Sequence, residues 1–352
     1  MKRFPPMLLG SRMLVCAGLL LPWLGLLAAA CANPVTPGAV PVQDVSGPYS
    51  IDTVPTPCAT PPSFSSSPIF DGEANIPERL SAVARLGEDL SHDQISRLYA
   101  FLKALPGPTE RNLAALNLLK NNIVCRLQDQ IHPPAGLTAT LIEVHLNRAQ
   151  DPVARDYALQ HLITWHEQGA RDAPDAKARI HSVLWQAAQE ETTIAGTALL
   201  GLHRINTSER QAMPFTGGDL LQRPGAPSVD TSGTFQPSGG PDGEEISQAA
   251  LRMLAAAGLP CASRITAIQV CAEREVTQAL PAIQTLAQTE SSTALRISAI
   301  AALGYLGGPD QAALLQRLDA EPNQALKPAI QGALRRLQAR LLRNPALTRN
   351  SL

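Results

Sequence analysis

Apolar residues at 95, 98, 101, 102 and 105 fall on one stripe of a helix, and no stretch alternates apolar with polar residues between Asn-Gly or Asp-Gly turns. The pattern predicts helices and no sheet. Along those helices one motif returns seven times: Ala followed by Leu, Ile or Val, with Arg three residues before the Ala in four of the copies. The copies are Arg79-x-x-Ala82-Val83, Asn112-x-x-Ala115-Leu116, Arg155-x-x-Ala158-Leu159, Ala195-x-x-Ala198-Leu199, Arg264-x-x-Ala267-Ile268, Arg296-x-x-Ala299-Ile300 and Leu326-x-x-Ala329-Ile330. Successive Ala positions are 33, 43, 40, 69, 32 and 30 residues apart. The one long interval holds a Gly/Pro/Ser-rich stretch, 206–243, and without its 38 residues 31 remain. A unit that cannot bury its apolar face alone and returns at that period is a helical hairpin in an α-solenoid.

Distant copies align without a gap. Arg79-Leu-Ser-Ala-Val-Ala-Arg-Leu-Gly87 lies over Arg296-Ile-Ser-Ala-Ile-Ala-Ala-Leu-Gly304 at a constant offset of 217, and Asp93-Gln94 then falls on Asp310-Gln311. The first unit is expected to pair a helix over 76–86 with one over 91–105, the latter opened by a capping box of Ser91 and Gln94. Asp151-Pro152 reads as an N-cap followed by Pro at the first helical position. Further pairs are expected over 263–271 with 276–287 and over 295–303 with 311–318, the latter two parted by Gly307-Gly308-Pro309. The second helix of the unit that 206–243 interrupts is expected over 245–257. Ala in the motif admits close approach of helix axes, and Arg can lay its stem on apolar surface with its charge in solvent or on a carboxylate.

This arrangement resembles the HEAT repeat family, including the HEAT-like repeats of phycobilisome lyases, over residues 76–342. Arg296 to Gly304, followed by Asp310 and Leu314-Leu315, carries the closest likeness. The resemblance implies an all-α solenoid of about seven helical hairpins that binds other macromolecules along one face, with no particular partner. Within the family, deoxyhypusine hydroxylase builds a di-iron site from His-Glu pairs at four equivalent positions. Here only His166-Glu167 occurs, so no such site is expected.

Composition agrees: 45% of the 352 residues are hydrophobic but only 4% aromatic, which suits Ala/Leu/Ile/Val helix packing. The first thirty residues differ. Lys2, Arg3 and Arg12 form a basic start, 13–30 carries no charge, and the run closes on Leu27-Ala28-Ala29-Ala30-Cys31, as an export signal does. That ending resembles the lipobox of bacterial lipoproteins, which implies lipid attachment at Cys31 and a membrane anchor, weakly favouring the outer membrane. Ala28 stands where the family has Leu, so plain signal cleavage and a periplasmic or secreted protein remain open. Nine prolines between 32 and 68 then describe a disordered, Pro-rich tether over 31–69, up to about 115 Å long. Residues 70–345 are the expected solenoid, with 206–243 a disordered insertion and 346–352 a tail.

Four cysteines remain beyond the signal and anchor: Cys58, Cys125, Cys261 and Cys271. Cys261 and Cys271 on one helix would stand about 15 Å apart, beyond bridging range. A Cys58–Cys125 disulfide would pin the tether to the second unit, and burial of Cys125 and Cys271 as small apolar residues is the alternative. Five of seven histidines, at 145, 161, 166, 181 and 203, crowd the third and fourth units. His161 and His166 cannot share one helix face, and no H-E-x-x-H, Cys/His cluster, nucleophile elbow, Walker loop or dinucleotide fingerprint occurs. Satisfied or exposed histidines, no metal, no cofactor and no catalytic residue are therefore expected.

Without the signal the chain has 26 basic and 30 acidic residues, which argues against nucleic acid as a partner. Against that background 327–352 carries six basic residues and no acid, the polar outer face expected of a terminal repeat. The reading is an exported, lipid-anchored scaffold that binds proteins in the bacterial cell envelope. The alternatives are a HEAT-like lyase or enzyme maturation factor whose site shows no motif, and a purely structural envelope protein.

Overall fold

The computed structural model describes Phe64 and residues 67–107, 112–190, 192–212 and 243–343. All of the described residues belong to the unit 60–352. The stretch 1–30 read as an export signal, Cys31, Cys58, most of 31–69 read as a tether, residues 213–242 and 346–352 lie outside them.

The described residues form thirteen α-helices and no strand. In chain order they are α1 Ile76–Ala84, α2 His92–Lys103, α3 Leu113–Gln128, α4 Leu137–Leu146, α5 Pro152–Glu167, α6 Ala176–Ala187 and α7 Thr193–Ala212. They continue as α8 Gly243–Ala255, α9 Cys261–Glu273, α10 Leu280–Thr289, α11 Thr293–Leu306, α12 Pro309–Asp319 and α13 Lys327–Arg343. The odd-numbered helices pack one on the next from α1 to α13, and the even-numbered helices lie against them as a second layer. This is the α-solenoid: six hairpins and, where a seventh was expected, the single helix α13 among the described residues.

Each motif copy sits on one odd helix, so the seven-fold repeat is one layer of the stack. Ala82, Ala158, Ala198, Ala267, Ala299 and Ala329 are buried, as is the aliphatic residue after every motif Ala. Ala115 is half-buried, because its copy starts one turn earlier: Asn112 is the N-cap of α3 and its Oδ1 accepts from Ala115 N at 3.0 Å. All four motif arginines occupy the fourth residue of their helix, at Arg79, Arg155, Arg264 and Arg296.

From there three of the four guanidinium groups reach backward to a backbone carbonyl, and three meet a carboxylate, one of the two outcomes expected. Arg79 Nε donates to Ile69 O at 3.2 Å, Arg155 Nε to His145 O at 2.7 Å and Arg296 Nε to Ala287 O at 3.2 Å. His145 and Ala287 lie in the last turns of α4 and α10, whose carbonyls lack helical partners, so the arginine satisfies a helix end. A carboxylate just past the next even helix completes the set: Glu190 for Arg155 (3.7 Å), Glu290 for Arg264 (3.4 Å) and Glu321 for Arg296 (3.7 Å). Arg155 and Arg296, which hold both contacts, thereby tie the preceding hairpin to the end of their own.

The caps follow the sequence. Ser91 Oγ accepts from Gln94 N while Gln94 Oε1 accepts from Ser91 N, and Gln311 reaches back to Gly308 N at 2.7 Å in the aligned position of α12. Asp151 caps α5 as expected. Two boundaries move. Ile69 is fully buried, and Phe64, Phe70 and Phe101 stack edge to face at 5.6 and 5.8 Å, so the packed region begins before residue 70 despite its Pro/Ser-rich flank. Helix α7 continues through Ala212 and α8 opens at Gly243, within the 206–243 span read as insertion. Side-chain contacts described below hold those polar residues in the helix.

Cys261 is exposed and Cys271 buried on α9, and burial pushes the Cys271 thiol up to about 12. Cys125 is half-buried on α3. No helix among the described residues is long and apolar enough to cross a membrane.

Candidate functional site

The C-terminal ends of α5 and α9 and the long last turns of α7 carry an unusual density of titratable side chains. Helix α5 stops at Glu167 because the chain turns left-handed at Gly169, φ 107°, with Ala170 N closing onto Trp165 O at 2.9 Å. Helix α9 ends the same way: Val276 N bonds Cys271 O at 2.9 Å around Glu275, φ 54°. Helix α7 runs between them.

Toward α9, His203 Nε2 lies 2.8 Å from Glu273 Oε2, and that contact holds the Glu273 carboxyl below its ordinary range. Arg274 donates to Ser247 Oγ at 3.0 Å, Asn206 Oδ1 at 3.3 Å and Gly243 O. It clamps the two helix ends from which 213–242 departs and to which it returns. A Cβ at Gly243 would fall 2.3 Å from the guanidinium nitrogens of Arg210 and Arg274, so a larger residue there would have to displace those side-chain tips. A groove of about 650 Å³ lies beside this clamp, lined by His203, Arg210, Glu273 and Arg274 among others.

Toward α5 and α6, the last turns of α7 present Glu209 to two histidine rings. His166 is buried in the last turn of α5, and His181 lies in the middle of α6 with its ring 4.9 Å from that of His166, edge to face. Glu209 Oε1 is 3.7 Å from Nε2 of each ring. Burial lowers both histidines, His166 to about 4, and for His166 the neighbouring His181 and Lys177 push the same way. Glu167 does not join them; its carboxylate pairs with Arg204 at 2.7 Å. The only adjacent His-Glu pair of the sequence is thus split between two contacts.

The five crowded histidines divide cleanly. His145 Nδ1 lies 3.2 Å from Arg155 O, both nitrogens of His161 are engaged at 3.0 Å by Gln128 and Asn121, and His203 has Glu273. Those three are satisfied, as the sequence suggested. His166 and His181 are not: Nε2 of the former and Nδ1 of the latter are buried without a hydrogen-bond partner. Among the described residues, only His166, His181 and Glu209 gather three metal-ligating groups whose donor atoms lie within 4.8 Å of one another. Sequence reading missed this trio because its members lie on three helices, and Glu209 fell in the stretch read as insertion.

Residues 249–335, α8 into α13, match the family model of HEAT repeats. No curated protein sequence matches the chain. Among solved structures, human deoxyhypusine hydroxylase in complex with glycerol is similar over 79% of this chain and 95% of its own, at 17% identity and a TM-score of 0.26.

Proposed function

We propose that this helical repeat protein is a non-enzymatic scaffold that binds another protein, and that it does so in the cell envelope, exported and held to a membrane by lipid on Cys31. The observation that carries the binding role is an apolar edge. Leu105, Leu113, Leu118, Leu146 and Val153, each 43–51% exposed, make up most of the large apolar side chains left in solvent among the described residues. They fall on the α2–α3 and α4–α5 turns and the adjoining starts of α3 and α5. The described residues beside those turns adjoin: Lys120 Nζ donates to Ala104 O at 2.7 Å, Gln150 Nε2 to Lys103 O at 2.7 Å, and Asn117 Nδ2 to Asp151 Oδ1 at 2.7 Å. Clustered apolar side chains on such an edge mark a protein-binding surface.

The double variant Leu146→Glu, Val153→Glu tests this. Both residues are exposed, so the thermal midpoint should move by no more than about 2 °C. Crosslinking in intact cells followed by purification should recover a defined partner with the parent chain and lose it with the variant. Recovery of the same partner with both would remove this edge from the interface.

Support for the anchor is in the sequence: a basic start, an uncharged run and Leu27-Ala-Ala-Ala-Cys31. Cys31→Ser should move the full chain from the membrane to the soluble fraction. Unchanged fractionation would sink the lipid reading.

A further inference from the structure

We propose that His166, His181 and Glu209 form a binding site for a divalent transition metal ion of the zinc class. Two imidazoles and one carboxylate are the donor set that borderline ions such as Zn²⁺ or Co²⁺ take, whereas Ca²⁺ and Mg²⁺ prefer oxygen alone.

The geometry is close to what such an ion needs. Bonds of about 2.0–2.1 Å in a tetrahedron put donor atoms roughly 3.4 Å apart. Glu209 Oε1 already stands 3.7 Å from both Nε2 atoms, midway between the two rings. It is also the half-exposed member, with 48% of its side chain accessible, so the remaining closure falls on the one ligand free to rotate. That same exposure leaves the fourth position open to water.

A bound ion also accounts for what the protein side leaves unexplained. Burying an imidazole nitrogen without a partner costs free energy, and His166, 4% exposed, has Nε2 in that condition facing the carboxylate. An ion there would take up the lone pair and neutralise Glu209 in the same step. The opposing group is Lys177, which sits in the first turn of α6 and is exposed, so its ammonium can turn away into solvent. Glu167, the other carboxylate nearby in sequence, is already paired with Arg204. The three ligands come from α5, α6 and α7, so the ion would cross-link three successive helices beside the departure of 213–242 and stabilise the fold by mass action.

The test uses the full chain stripped with chelator. Titration with Co²⁺, read by visible d–d absorption, should saturate at one ion per chain, with Zn²⁺ displacing it. His181→Ala and Glu209→Gln should each weaken binding by at least the roughly 10–100-fold that outer-shell changes cost. Because Glu209 is half-exposed, its variant should keep the parent helical content by circular dichroism, which separates loss of the site from loss of the fold. His203→Ala, at the neighbouring Glu273 contact, should bind as the parent does. Absence of saturable binding by the parent, or affinity unchanged in both His181→Ala and Glu209→Gln, would overturn the proposal.

Discussion

Acidification from pH 7.5 to pH 5 is expected to weaken the fold by about 2 kcal/mol through His161 alone. Its ring lies between α5 and α3, with the side-chain amides of Gln128 and Asn121 each 3.0 Å from a ring nitrogen, so the neutral ring donates to one of them. Burial lowers this histidine to about 4. In the unfolded chain it takes up its proton near pH 6.5. Between those values the unfolded state binds more protons, so stability rises with pH; the contribution is fully present above about 6.5 and is lost as pH falls toward 4. His145 works in the same sense, lowered first by burial, with Arg155, Glu190 and Asp156 as the charged groups around it.

Denaturant unfolding of the parent chain and His161→Phe at several pH values, in chelator, checks this. Phe fills the ring's space but strands Gln128 and Asn121, so the variant should start about 1–2 kcal/mol lower at pH 7.5. It lacks the titration, so the gap should close by pH 5. A gap that stays constant across that range would show that His161 does not carry the acid sensitivity.

The contrast between His161 and His166 shows where legibility in the sequence ends. Both lie on α5, five residues apart, and both are lowered to about 4 by burial. Nothing in their spacing says that one meets two amides and the other an unsatisfied ring and a carboxylate. That outcome depends on how α3 and α7 lie against α5, a matter of interhelical geometry that a periodic pattern does not encode. The layer itself was readable, because a motif with one Ala per turn of the stack must put that Ala at the helix contact. The purpose of Arg was not. Its fixed place as the fourth helical residue appears only once helix starts are known, and its acceptor is a backbone carbonyl, which has no sequence signature. Ile69 and the residues 206–212 were hidden for the opposite reason: Pro, Ser, Thr and Asn around them read as loop, while burial of Ile69 and the Asn206–Arg274 contact place them in the packed structure.

The aligned glycines Gly87 and Gly304 give the second large effect. They occupy one position of the repeat, yet a Cβ at Gly87 would come no closer than 4.0 Å to another atom, whereas at Gly304 it would lie 2.8 Å from Ala333 Cα and 3.0 Å from Ala333 O. Those are backbone atoms of α13, and no side-chain rotation relieves them. Gly304→Ala is therefore expected to cost about 1–3 kcal/mol, and Gly304→Leu to lie at or above the upper end. Gly332, on α13 itself, should respond with the opposite sign. Its added Cβ meets only the tip of Arg336 at 3.4 Å, a flexible group, while Ala in a helix interior is better than Gly by up to about 1 kcal/mol. Because each helix pair contacts mainly its neighbours, the Gly304 damage should stay at the end of the stack. Amide hydrogen exchange should show lost protection over 327–343 with α3 to α6 unchanged. If Gly304→Ala and Gly332→Ala shift the thermal midpoint in the same direction, or if protection falls equally in α3 to α6, then close backbone packing of α11 on α13 is not what the glycine serves.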